Sequence, residues 1–264
     1  MDTLERSEVS DSALNIPSRK NSVSPEEWQT RVDLAAFYRL SALFGYSDLI
    51  FTHTTARVPG VHNEFLINPY GMTFDEVTAS SLLKIDLEGN KLDDSPFPLN
   101  PSGYTIHSAV HAARPDTQCV AHTHSLNVSA VSAQKCGLLP IVQQSIFILA
   151  NMAYHDYDGV TLDKDQQPAL LKDIGDKRFV MLRNHGLLVL GRTIPDAFLM
   201  MYLFESACIV QLRAQAGGEL IEIPRKYIDA GRETGQRQTL SQGGRLVWPG
   251  LLRRLDRIDP SYRT

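Results

Sequence analysis

Residues 119–124, Cys-Val-Ala-His-Thr-His, most constrain the fold of this chain. The segment reads as a short buried strand. Side chains alternate along a strand, so His122 and His124 share one face at its end. Two imidazoles on one face beside a short loop are a good start for a transition-metal site. A third candidate stands further on, at His185 in Arg183-Asn184-His185-Gly186. The remaining sequence must supply the sheet that holds such a strand and bring the third histidine to the other two.

It contains the elements to do so. Ser24-Pro25-Glu26-Glu27 is a helix start, with a cap, a proline in the first turn and acids at the positive end of the dipole. Apolar residues at helical spacing follow until Gly45. Residues 49–58, rich in β-branched side chains, predict a strand, with 65–67 as its partner and Asn68-Pro69-Tyr70-Gly71 as a turn. Residues 78–81 predict the cap of a short helix and 83–87 a strand. Around the histidine strand, 104–113 and 128–135 predict helices. Residues 146–150 and 152–154 read as strands, 168–173 as a helix, 179–182 and 187–190 as strands, and 194–214 as the longest helix. After Gly217-Gly218 the chain turns polar and reads as loosely structured, apart from an apolar stretch at 246–252. This mixture predicts α/β with a central, mostly antiparallel sheet.

Composition narrows the function. With 264 residues and 43% hydrophobic content, the chain can bury a sizeable core as one large domain or two small ones. A net charge of -4 argues against a nucleic-acid binder. Cys119, Cys136 and Cys208 are odd in number and widely spaced, which suits a reducing compartment. No apolar run approaches the length of a membrane span, and the N-terminus has no basic start before an apolar core. The expectation is a cytoplasmic protein without membrane or nucleic-acid partners.

Further motifs accompany the histidines: Arg114-Pro115-Asp116, Lys135-Cys136-Gly137-Leu138-Leu139-Pro140, Ala153-Tyr154-His155-Asp156-Tyr157, and Gly191 after the His185 strand. On these, residues 27–220 resemble the class II aldolase/adducin family, in particular its adducin-type branch. The resemblance implies a three-layer α/β/α fold with a central antiparallel sheet, commonly in tetramers with sites at subunit interfaces. With residues 1–23 polar and without periodicity, the chain is expected to divide into a flexible N-terminal arm (1–23), the family domain (24–220) and a C-terminal tail (221–264) that packs on the domain or on a neighbouring subunit. The resemblance also implies a divalent metal on His122, His124 and His185, Zn2+ first and Fe2+ as the alternative.

The chain departs from the sugar-phosphate aldolases in two places. Their Gly-Asn-x-Ser-x-Arg phosphate loop is matched here by Thr52-His53-Thr54-Thr55-Ala56-Arg57, which keeps a hydroxyl and a cation but places Thr52 where backbone must approach phosphate closely. Their acid/base glutamate lies four residues before a histidine, and here Gly103 precedes His107 by four. The substrate side is assigned to His53, Thr55, Arg57, Tyr70, Ser102 and Tyr104. Tyr157 is the expected proton donor, and Tyr262 the tail tyrosine expected to complete a neighbouring subunit's site. His107 and His111 lie at i and i+4 and read either as a second metal pair or, more plainly, as hydrogen-bonding side chains.

These residues imply a metal-dependent lyase acting on a small, non-phosphorylated hydroxy-carbonyl or carboxylate, by C–C cleavage or decarboxylation through a metal-stabilised enediolate. One alternative is a non-heme iron(II) oxygenase acting on an aromatic 2-oxo or 2-hydroxy acid. The other is a non-catalytic, adducin-like interaction module.

Overall fold

A computed structural model describes residues 16–159, 164–237, 239 and 242–264, without the side chains of residues 102, 164, 232 and 236. Most of the expected N-terminal arm, residues 1–15, lies outside the described residues.

A seven-stranded sheet runs through the molecule. Its strands are β1 (His53–Arg57), β2 (Glu64–Ile67), β3 (Leu83–Asp86), β4 (Cys119–Thr123), β5 (Met152–His155), β6 (Phe179–Leu182) and β7 (Gly186–Gly191). Their order is β3-β2-β1-β4-β7-β6-β5. Every pairing is antiparallel except that of β5 with β6. The histidine strand β4 is therefore central, held by β1 on one edge and β7 on the other.

Alternation along the central strands divides the core in two. Ala56, Cys119, Ala121, Met181 and Val189 face helices α1 (Pro25–Leu43) and α6 (Ile194–Gln215), where Phe37, Phe198, Phe204 and Met200 pack on them. Val120, Val180, Leu188 and Leu190 face the other way, onto Ile106 and Val110 of α2 (Pro101–Ala113) and Leu170 and Ile174 of α5 (Gln167–Ile174). The result is three layers. At about 25 cal/mol per Å² of apolar surface removed from water, these two interfaces supply most of the drive to fold. His53 and His122 are cross-strand partners, and both face the α2 layer.

Helix α1 starts where the sequence predicts, with the Ser24 side chain accepting the Glu27 N–H at 3.1 Å. Four readings need correction. Residues 146–150 form no strand, because they belong to helix α4 (Gln143–Leu149), which packs between α6 and α7 (Arg225–Arg237). Its Ile-Phe-Ile run favours a strand by propensity, but helical neighbours on both sides decide otherwise. Residues 78–81 make a turn, in which Ser81 Oγ donates to Thr78 O at 2.9 Å, and no helix follows. Residues 49–52 precede β1 as loop, with Leu49 at φ 48°. The segment after Gly218 is largely helical: α7 lies on α4, and α8 (Gly243–Ile258) lies on α6 and α1. Gly231, Gly235 and Pro249 inside these helices cost about 1 kcal/mol per glycine and about 3 for proline, so sequence propensity speaks against them. Docking on the domain outweighs that cost.

Helix α6 also revises the expectation about apolar runs, since its 22 residues are long and apolar enough to cross a membrane. Here it is a core helix on β4 and β7, with Glu205 and Gln211 buried along it. The remaining helix, α3 (Leu126–Ser132), follows β4 directly and leans on α6.

Candidate metal centre

The end of β4 and the turn between β6 and β7 bring three imidazoles together. His122 is the last residue but one of β4, and His124 lies just past the strand. His185 sits in the three-residue turn 183–185, where Asn184 takes the left-handed conformation at φ 57°. Gly186 follows because β7 begins against the end of β4, and a Cβ at that position would lie 2.3 Å from Thr123 O. The Asn-His-Gly sequence is thus the geometry that carries His185 to His124. Ser129 fixes the turn further, its hydroxyl donating to His185 O at 2.9 Å.

Hydrogen bonds choose the tautomers. His122 Nδ1 lies 3.0 Å from Leu187 O, and His124 Nδ1 lies 3.0 Å from Asp48 Oδ2. Both partners only accept, so each Nδ1 carries the proton and each Nε2 is bare. The three Nε2 atoms nevertheless converge: His122 to His124 at 2.8 Å and His124 to His185 at 2.8 Å. Two bare lone pairs facing each other repel. A cation shared between them removes the repulsion and makes each an ordinary ligand. The ligand atoms of the three residues all lie within 4.8 Å of one another, and among the described residues no other set of three or more such side chains brings its ligand atoms this close together. Burial, reinforced by the neighbouring histidines, holds His122 well below the usual histidine pKa and His185 at about 4. Both are therefore neutral at physiological pH, as metal ligands must be.

The triad opens into a cavity of about 640 Å³, whose wall includes His53, Asp48, Phe51, Leu126 and Tyr157. Of the residues assigned to substrate or catalysis, His53 and Tyr157 reach this cavity. Tyr157 is 56% exposed at its mouth. The others are elsewhere. Thr55 lies two residues along β1, roughly 7 Å from His53, and is enclosed between His107 and His111. Arg57, two further on, donates to the carbonyls of Thr117, His62, His111 and Arg114. Tyr70 is held in its turn by Pro98 O at 3.1 Å, and the Tyr104 ring lies against Gly89. The Ser102 side chain lies outside the described residues.

Tyr262 is fully buried against α1, its hydroxyl donating to Asp256 at 2.8 Å and its carbonyl accepting from Ala79 N at 2.9 Å. Bound in this way, it cannot also serve a neighbouring site, which corrects the expectation for the tail. Several motif residues turn out to be structural. Arg114 and Arg178 both grip Asp116, and Tyr154 OH accepts from Leu138 N at 3.0 Å. His155 is engaged by Asp173 at 2.8 Å and Asp158 at 3.5 Å.

Sequence reasoning missed Asp48, Phe51 and Leu126. Asp48 and Phe51 fall in or beside a stretch whose β-branched residues mimic a strand. Neither has a spacing relation to the histidines that could have shown it.

A three-layer α/β/α fold with a His-x-His pair and a distant third histidine at the end of its central strands defines a class of protein. The family model described as Class II Aldolase and Adducin N-terminal domain matches residues 32–212, and the chain belongs to that family. A Pseudomonas aeruginosa protein whose provisional name is aldolase class 2 protein is 54% identical over 91% of this chain and 94% of its own length. Mouse alpha-adducin is 41% identical over 89% of this chain, which spans 34% of that longer protein. The solved structure of L-fuculose 1-phosphate aldolase from Glaciozyma antarctica is 26% identical, with a TM-score of 0.81, covering 96% of this chain and 98% of that one.

Proposed function

We propose that this chain is a metal-dependent lyase that cleaves a C–C bond, or decarboxylates, in a small non-phosphorylated hydroxy-carbonyl or hydroxy-carboxylate. The observation that carries this reading is the convergence of three Nε2 atoms, two of them left bare by hydrogen bonds at Nδ1. Such a donor set suits Zn2+, with Fe2+ as the alternative. When bound, the metal supplies Lewis acidity, drawing electron density from a substrate oxygen as charge develops.

The protein's own residues do the rest. Asp48 and Leu187 O hold His124 and His122 in the ligand tautomer. Tyr157 stands beside His185 at the cavity mouth as the proton donor to the departing fragment. Phe51 and Leu126 give the wall an apolar stretch.

A phosphorylated substrate fits poorly, because the groups along β1 that would hold phosphate are already used. The Thr54 N–H is taken by Tyr38 OH at 2.7 Å, Thr55 Oγ1 is bonded to two histidines, and Arg57 is spent on carbonyls. Leu126 in the cavity wall at 86% exposure and Leu49, next in sequence to the wall residue Asp48, at 67% support an oligomer in which a second copy of the chain covers them.

The test is metal analysis of tag-free protein purified without chelator, followed by a screen of short hydroxy-carbonyl compounds and hydroxy acids for cleavage products. About one zinc per chain with anaerobic C–C cleavage supports the lyase. Iron with oxygen consumption would move the assignment to the oxygenase. No metal, with stability unaffected in His122→Ala, would leave the adducin-like interaction module.

A further inference from the structure

A second histidine cluster adjoins the triad and is not part of the ligand set. His53 Nδ1 lies 2.9 Å from His107 Nε2. His107 Nδ1 lies 2.7 Å from Thr55 Oγ1, which lies 2.8 Å from His111 Nε2. These four side chains form one unbranched chain, buried to 0–1% exposure. One end is His111 Nδ1, which is buried without a hydrogen-bond partner. The other is His53 Nε2, on a ring that lines the triad's cavity. The His53 ring packs 5.2 Å from the ring of His122, and its position depends on Gly103, where a Cβ would lie 2.8 Å from His53 Cδ2.

We propose that the chain His111–Thr55–His107–His53 holds His53 with its Nε2–H presented to the cavity, so that His53 donates a hydrogen bond to an anionic or carbonyl oxygen of the bound substrate. The inference rests on reading the cavity as the substrate site.

The direction follows from proton counting. Thr55 has one proton and touches two imidazoles, so it donates to one and accepts from the other. The two consistent arrangements run in opposite senses along the chain. In one, His111 Nδ1 is an N–H buried without an acceptor. In the other it is a bare nitrogen. A buried orphan N–H is the rarer state in proteins, and the neighbouring Arg57 cation favours a lone pair over a proton on His111. With His111 Nδ1 bare, its Nε2–H donates to Thr55, Thr55 donates to His107 Nδ1, and His107 Nε2–H donates to His53 Nδ1. The proton of His53 must then sit on Nε2. Burial keeps His107 and His111 neutral, which preserves this count. His53 is thus a donor where a carboxylate would be an acceptor, and it selects substrates that offer an oxygen lone pair. Thr55, His107 and His111 are positioning residues that act through it.

Long-range proton–nitrogen NMR of the full-length protein labelled with 15N-histidine reads each tautomer directly, with or without metal. His53, His107 and His111 should all be Nε2–H tautomers, and His107 found as Nδ1–H would overturn the proposal. In Thr55→Val the chain is cut, so the His53 and His107 signals should shift to mixed tautomers. Signals identical to wild type would show that the residues are not coupled. Zinc-loaded protein titrated calorimetrically with glycolate tests the ligand class. His53→Phe should weaken glycolate binding about tenfold or more, as expected for a lost hydrogen bond to a charged oxygen. Equal affinity, or no glycolate binding by wild type, would refute the donor role. If zinc itself fails to bind, the lyase reading falls while the tautomer result still stands or falls alone.

Discussion

Two groups of three histidines lie side by side on the α2 face of the sheet, and their hydrogen bonds set them apart. In the first group the Nδ1 bonds of His122 and His124 go to a backbone carbonyl and to Asp48, which leaves two bare Nε2 atoms that converge with His185 Nε2. In His53, His107 and His111 the ring nitrogens are used within the cluster and through Thr55, leaving only its two ends. Density of histidine therefore does not mark out the candidate metal centre. What the opposite nitrogen is bonded to does, because that fixes whether a free lone pair is available.

The largest test of this contrast is to remove one member of each group. His124→Ala should reduce bound metal from about one per chain to near zero, measured by elemental analysis after dialysis, because two imidazoles cannot hold the ion against water. His107→Ala should keep full metal content. Equal metal loss in both variants would erase the distinction between the groups.

Acid unfolding comes next. The pKa of buried His111 is held at about 3, against 6.5 for an unperturbed histidine. The unfolded chain therefore binds the extra proton first, and the contribution of His111 to stability is fully present above about pH 6.5 and is lost as pH drops toward 3. The loss from this residue is on the order of 4–5 kcal/mol across that window. Urea unfolding against pH should show the slope, and His111→Phe should make it shallower, the other buried histidines supplying the remainder.

Asp48→Asn should leave the fold intact but weaken metal affinity by roughly 10–100-fold, read by competition with a chromophoric chelator. The smallest effect is expected from Gly103→Ala. Its Cβ would meet His53 at 2.8 Å, so the second group should shift at a cost of about 1–3 kcal/mol in thermal or urea unfolding, with metal content unchanged.

Much of this architecture was legible from residue order. The His-x-His pair on a buried strand, the third histidine before Gly186 and the α/β alternation all express local periodicity or turn chemistry. Other parts depend on tertiary neighbours. The strand reading of 146–150 failed because α6 and α7 flank that segment, and the C-terminal helices formed despite their glycines and proline. At the site, Thr55 and Arg57 are grouped with His53 in the sequence through the match of residues 52–57 to the family's phosphate loop, and the three do alternate on one face of β1. That grouping was right about the face and wrong about the distance, since only the end of the strand reaches the cavity. Asp48 was invisible, because a loop carboxylate acquires its role only when folding sets it against His124.

X-ray absorption spectroscopy at the metal edge, on chelator-free wild-type and His107→Ala protein, tests the central claim most directly. The account predicts a shell of three imidazole nitrogens, the same in both proteins and disrupted in His122→Ala. A shell with no imidazole or only one, or one lost in His107→Ala, would contradict it.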